Sequence, residues 1–136
     1  MLSIQDWGFM LGQEIHVDTD ITDFKEGVLV AINSSNHCEL SVLFKIEERL
    51  FTAKFLTEDC KPILRTIDQI TRKEIDILIE KFGYSYGYNI DEINLFLDDL
   101  CSADYVLYTR IVFWFIQQGI DQLGYIDKGW AIKKED

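Results

Sequence analysis

Residues 60–83 read CKPILRTIDQITRKEIDILIEKFG, and within them the chain changes its periodicity. The only proline, Pro62, stands near the junction, just before a short β-type run. From Thr71 onward the pattern is helical. Thr71-Arg72-Lys73-Glu74 is a capping box, in which the threonine oxygen and the glutamate each satisfy an amide that a first turn leaves unpaired. Ile75, Leu78, Ile79 and Phe82 then recur at helical spacing, and Gly83 stops the helix. Strand signals lie before this junction and helix signals after it. That order predicts one α+β domain with a β-rich half over 1–67 and a helical half over 68–136, not alternating βα units.

Upstream, residues 8–17, 27–33, 38–46 and 50–56 are short β-rich runs separated by Asp/Thr, Asn/Ser/His and Glu/Arg breaks. In the third run Leu40, Val42, Phe44 and Ile46 share one face, while Glu39, Ser41 and Lys45 point the other way and Leu43 interrupts the polar side. The breaks at 33–37 and 47–49 read as hairpin connections. This spacing predicts a small antiparallel meander, and a fifth run at 63–67 offers to close it into an SH3-like β-barrel.

Downstream, Asn89-Ile90-Asp91-Glu92 repeats the capping arrangement, with Ile93, Phe96, Leu97 and Leu100 on the apolar stripe of a second helix. A third helix is expected over about 103–118, starting near Ser102 or Asp104 and ending at Gly119. Its run from Ile111 to Ile116 is apolar on nearly every side, so it is covered on several faces. It is either the central packing element or, in part, a homodimer interface. The following segment is expected to pack back through Leu123, Tyr125, Ile126 and Trp130.

A chain of 136 residues, 48% apolar and 13% aromatic, buries roughly 65–70% of its unfolded surface and builds a core without staples. The 3 cysteines, Cys38, Cys60 and Cys101, are far apart and form no C-x-x-C pair, which points to a reducing compartment and against a zinc knuckle. No signal-peptide pattern or membrane-length apolar run is present, so a cytoplasmic protein without membrane contact is expected. A formal charge of −11 argues against direct binding to nucleic acid through a general basic surface.

Two segments carry a resemblance. Residues 60–67, followed by Ile70-Thr71-Arg72-Lys73-Glu74-Ile75, resemble the Lys-Pro-hydrophobic-Leu-Arg-Pro segment and threonine-capped helix of small uncharacterised phage and prophage proteins of Bacteroides-like bacteria. Residues 119–132 (GIDQLGYIDKGWAI) are similar to their closing pattern. Thr66 stands where those proteins have a second proline, and Trp130 where a leucine is common. The resemblance implies a phage or mobile-element setting and supplies no catalytic residues.

Enzymatic signatures are missing. Asp18, Asp20 and Asp23 alternate like the start of a calcium loop, but Asp23 and Leu29 occupy the places of the required glycine and glutamate, so the segment reads as a solvated loop. His16 and His37 belong to separate runs, and Cys38 beside His37 faces the opposite side of any regular strand. No phosphate-loop, dinucleotide or zinc-protease motif occurs, and Asp98-Asp99 diverge by about 100° on a helix. No catalytic, metal or cofactor site is therefore expected.

Binding is the remaining class. Tyr84, Tyr86 and Tyr88 fall within five residues between two helices, and rigid amphipathic rings are favoured at protein contacts. The alternative is that they fold back over the helices. Asp91, Glu92, Asp98, Asp99 and Asp104 follow with no basic residue between Lys81 and Arg110, and residues 14–26 hold Glu14, Asp18, Asp20, Asp23 and Glu26 against Lys25 alone. If the two stretches share a face they form an anionic stripe able to imitate a phosphate backbone. The leading expectation is a non-enzymatic interaction module with Tyr84, Tyr86 and Tyr88 as its contact and a protein partner. The second is an acidic decoy, using Asp91, Glu92, Asp98 and Asp99, that inhibits a nucleic-acid-binding host defence enzyme.

Overall fold

The chain enters through a helical turn that strand-oriented reading of 8–17 overlooks. Helix α1 (Ile4–Gly8) starts at Ser3, whose hydroxyl accepts from the Asp6 amide while the Asp6 carboxylate accepts from the Ser3 amide. The chain then turns through Gly12, at φ 86°, so strand β1 is confined to Glu14–Val17. The structure, a computed structural model, describes residues 2–20, 24–33 and 39–135. Asp23, His37 and Cys38 lie outside the described residues.

Strands β2 (Glu26–Asn33), β3 (Glu39–Ile46) and β4 (Arg49–Leu56) continue an antiparallel meander. The alternation of β3 is observed as read: Leu40, Val42 and Phe44 are buried, opposite Phe55, Ala53 and Phe51 of β4. Between β2 and β3 the approach is so close that a Cβ on Gly27 would lie 2.6 Å from the Leu43 carbonyl oxygen and 2.6 Å from Val42 Cγ1. Only glycine fits there.

The closed barrel is corrected. After a 3-10 turn at Thr57–Asp59, strand β5 (Cys60–Leu64) pairs antiparallel with β1. Its other side is taken by β6 (Ile132–Lys133), which returns from the far end of the chain and runs parallel to it. The resulting sheet is mixed and open, in the order β4-β3-β2-β1-β5-β6. Because β6 occupies the place β4 would need, the ring does not close.

Three long helices follow. Helix α2 (Arg72–Phe82) has the expected Thr71/Glu74 box and ends at Gly83, φ 71°. Helix α3 (Ile90–Ala103) starts at Asn89, which accepts from the Asp91 amide; Glu92 lies against Gly87 and does not complete a second box. Helix α4 (Tyr105–Gln117) leaves α3 across the single residue Asp104, whose carboxylate caps the new helix at Leu107. None of the described helices is long and apolar enough to cross a membrane.

Helix α4 packs on two sides. Val112 and Ile116 belong to a core formed with the sheet and α1, whereas Ile111, Trp114 and Phe115 belong to a second core with α2 and α3. An element between two cores must be apolar on two sides.

Arg65, immediately after β5, connects these parts. Its guanidinium donates to both Glu74 carboxylate oxygens at 2.7 and 2.6 Å, to the Gln118 carbonyl at 2.7 Å and to the Gln69 carbonyl at 3.3 Å. The side chains of Arg65 and Glu74 are only 20% and 12% exposed. Burial pushes the Glu74 carboxyl up, but the Arg65 bonds and the Thr71 amide and hydroxyl outweigh it and hold its pKa below the usual value. Arg65→Ala leaves that carboxylate enclosed without its cation and is expected to cost about 3 kcal/mol in urea unfolding. Arg65→Lys recovers only part, because an ammonium cannot make the two-pronged contact. Since the folded pKa is depressed, the stabilisation is complete above the ordinary glutamate value of 4.5 and is lost as pH falls through the folded value. Glu74→Gln is therefore expected to flatten the acid limb of a stability-against-pH curve.

Candidate interaction surface

The loop between α2 and α3 is built inward from Tyr84. Gly83 in the left-handed conformation lets its own amide bond the Ile79 carbonyl, the arrangement of an αL stop, and the Tyr84 amide reach back to Leu78. This turns Tyr84 into the helical core. It is buried, its ring meets Phe96 edge-on at 4.9 Å, and its hydroxyl donates to the Gly87 carbonyl. Tyr84 therefore anchors the loop and offers no ring to a partner.

Tyr86 and Tyr88 remain outside, at 39% and 45% exposure. Tyr86 stacks on Tyr84 at 6.0 Å, meets Phe96 at 5.1 Å, and donates its hydroxyl to Asp99 at 3.2 Å. Tyr88 donates to Asp76 of α2, and the Arg72 guanidinium lies 4.4 Å from its ring centroid. Asp76 and Arg72 escaped sequence reasoning. The capping box fixes where α2 starts, but not that its first turns lie under a tyrosine from the following loop.

Asp91, Glu92, Asp98 and Asp99 are all exposed on α3. Helical spacing puts Asp91, Leu95 and Asp98 along one line and Glu92 and Asp99 along the next, beside the tyrosines. Asp99 is engaged by Tyr86, while Asp104 is occupied as the cap of α4. The other acidic stretch is attached elsewhere. Glu14 and Glu26 edge the outer face of the sheet, where Lys45, Lys133 and Lys134 stand among them, and Glu14 is paired with Lys134 at 2.7 Å. Helix α3 contributes nothing to the core beneath that sheet.

The remaining reactive groups offer little chemistry. Cys60 is buried, and burial, helped by the charge of Asp59, pushes its thiol up to about 12, so it holds no thiolate at neutral pH. Among the described residues no group of three or more His, Cys, Asp or Glu side chains is placed to hold a metal ion. Concavities of about 180, 330, 350 and 390 Å³ lie at or below the lower end of the roughly 300–1,000 Å³ of small-molecule sites. None of those four is lined by the tyrosine loop.

The chain matches no protein-family model, no curated protein and no solved structure. What it does must be argued from its own residues.

The hydrogen bonds supply a direct check on the surface. The bond to Asp99 is the main cause that raises the Tyr86 phenol pKa, and the bond to Asp76 does the same for Tyr88. In a titration followed by NMR at the ring carbon bearing the hydroxyl, both should ionise above free tyrosine. Asp76→Asn should lower the midpoint of Tyr88 alone, and Asp99→Asn that of Tyr86 alone.

Proposed function

We propose that the chain is a non-enzymatic protein-interaction module whose contact is formed by Tyr86 and Tyr88 with the exposed carboxylates of α3, in the phage or mobile-element setting that its sequence resemblance implies. The observation that carries this reading is the immobilisation of two half-exposed rings. Tyr84 is driven into the core beneath them, and carboxylates on two different helices, Asp99 and Asp76, hold their hydroxyls. Side chains already held in one geometry lose little rotamer entropy on binding, so more of the contact energy appears as affinity. Asp91, Glu92 and Asp98 beside them favour a partner with basic groups around an apolar centre. The strand order β4-β3-β2-β1-β5, with a 3-10 turn before β5, supports reading the front half as an SH3-like unit that remains open.

A second reading has its own support. The exposed acids of α3 have no basic residue among them between Lys81 and Arg110, as an inhibitor that imitates nucleic acid requires. Its target would be a nucleic-acid-binding host enzyme. The interleaved lysines around Glu14 and Glu26 restrict such a surface to α3.

Affinity capture from nuclease-treated bacterial lysate, eluted in rising salt and read by mass spectrometry, separates the two. The module reading expects a partner that survives moderate salt and whose retention falls at least about tenfold in Tyr86→Ala/Tyr88→Ala, as for a hot-spot pair. Charge reversal at Asp91, Glu92 and Asp98 should then matter much less. The decoy reading expects the opposite ranking, and a partner released early because salt screens exposed charges. Retention that ignores both sets of variants would remove this surface from consideration.

A further inference from the structure

The open sheet finishes differently at its two edges. At one edge β6 is only Ile132–Lys133, too short to template another strand. At the other, β4 runs Arg49–Leu56, is paired with β3 residue for residue without a register shift, and contains no proline. It has no further strand beside it among the described residues. Proteins blunt such edges with short strands, prolines, bulges and charges. Of these devices β4 carries only Arg49 and Lys54, and the irregularity of this sheet lies between β2 and β3 instead. Apolar side chains are exposed on both faces of β4: Leu50, at 63%, and Leu56 on the outer face, and Phe51 on the face continuing from the core.

We propose that β4 pairs with itself: two copies of the chain join their β4 strands antiparallel about a two-fold axis at Ala53, making one continuous sheet. The register follows from side-chain direction. Residues opposite one another must point to the same face. On β4, Phe51, Ala53 and Phe55 take the core face through their partners Phe44, Val42 and Leu40, and Leu50, Thr52, Lys54 and Leu56 take the other. An axis at Ala53 sets Leu50 opposite Leu56 of the second copy, Phe51 opposite Phe55, and Thr52 opposite Lys54. Apolar groups then meet apolar groups on both faces, the kind of cross-strand pair that stabilises sheets. Moving the axis to Thr52 puts Lys54 against Leu50 and Arg49 against Phe55. Moving it to Lys54 puts two ammonium groups face to face.

The pairing is self-limiting, because a two-fold contact uses the same edge twice and the β6 edge cannot continue the growth. The overall charge of −11 opposes association at long range, but β4 itself contains no acid. Added salt should therefore strengthen the dimer by screening the repulsion.

Sedimentation of the full chain from about 10 μM to about 1 mM, where weak self-association is populated, tests this directly. The expected result is a rise from monomer to dimer mass with no larger species. Leu50→Lys with Leu56→Lys alters two exposed positions and opposes like charges at both, and should leave a monomer with an unchanged circular dichroism spectrum. Leu50→Lys with Leu56→Glu opposes unlike charges and should restore the dimer. Tyr86→Ala/Tyr88→Ala should dimerise like the parent, which separates this surface from the tyrosine contact. A parent chain that stays monomeric at about 1 mM overturns the proposal and leaves the edge to a strand from another protein. A dimer indifferent to the Lys/Lys pair, a Lys/Glu pair that fails to restore it, or growth beyond two copies overturns it equally.

Discussion

The enclosed charge of Arg65 is the constraint around which the two halves are arranged. A guanidinium removed from most of its water needs acceptors, and those of its two terminal nitrogens come from three places: the first turn of α2, the carbonyl of Gln118 at the end of α4, and the carbonyl of Gln69. The backbone of the same residue is tied too, its amide donating to Gly119 and its carbonyl accepting from Asp121. A cation there also answers the exposed carbonyls at the α4 C-terminus. Glu74 serves twice, closing the Thr71 capping box and receiving the arginine. One arginine thus ties the residue after β5 to the first turn of α2 and to the end of α4.

With its C-terminus held against β5, α4 divides its side chains between the two cores. The segment after it is fixed by Asp121, whose carboxylate accepts from the amides of Leu123, Tyr125 and Ile126. This carries Tyr125 to Asp6, where its hydroxyl donates at 2.8 Å to the carboxylate that also caps α1. The Asp6 carboxyl is pushed up by burial, but the Ser3 and Tyr125 bonds outweigh that and hold it below its usual range. The first helix is in this way latched to the returning C-terminal segment, which goes on to supply β6. Completion of the sheet by β6 is also why the opposite edge stays open.

The tyrosine loop shows how one residue type takes two roles within a few positions. Tyr84 is bound from below and Tyr86 and Tyr88 are displayed above it, with carboxylates from α2 and α3 fixing the displayed rings. The acids of α3 therefore do more than solvate a helix, since Asp99 orients an aromatic ring. The surface is amphipathic and anionic, and it is separate in the fold from the β4 edge, being built on the helical core and not on the sheet core.

Features set by short-range chemistry were legible before the fold was known. Thr71 with Glu74, Gly83, Asn89, Asp104 and Gly119 mark the ends of α2, α3 and α4, because a cap is satisfied by amides a few residues away. The alternation of β3 is equally local. Helix α1 was missed because its box uses aspartate at the position where glutamate is usual, and it lasts little more than one turn. Burial of Tyr84 but not Tyr86 or Tyr88 could not be read from three like residues at two-residue spacing, since it depends on where Phe96 stands. The barrel failed to close for a reason remote from the meander: β5 finds its second neighbour in β6, at the other end of the chain. Periodicity and capping are written in consecutive residues, whereas strand order, the enclosure of Arg65 and the choice of which tyrosine to bury arise only when distant segments meet.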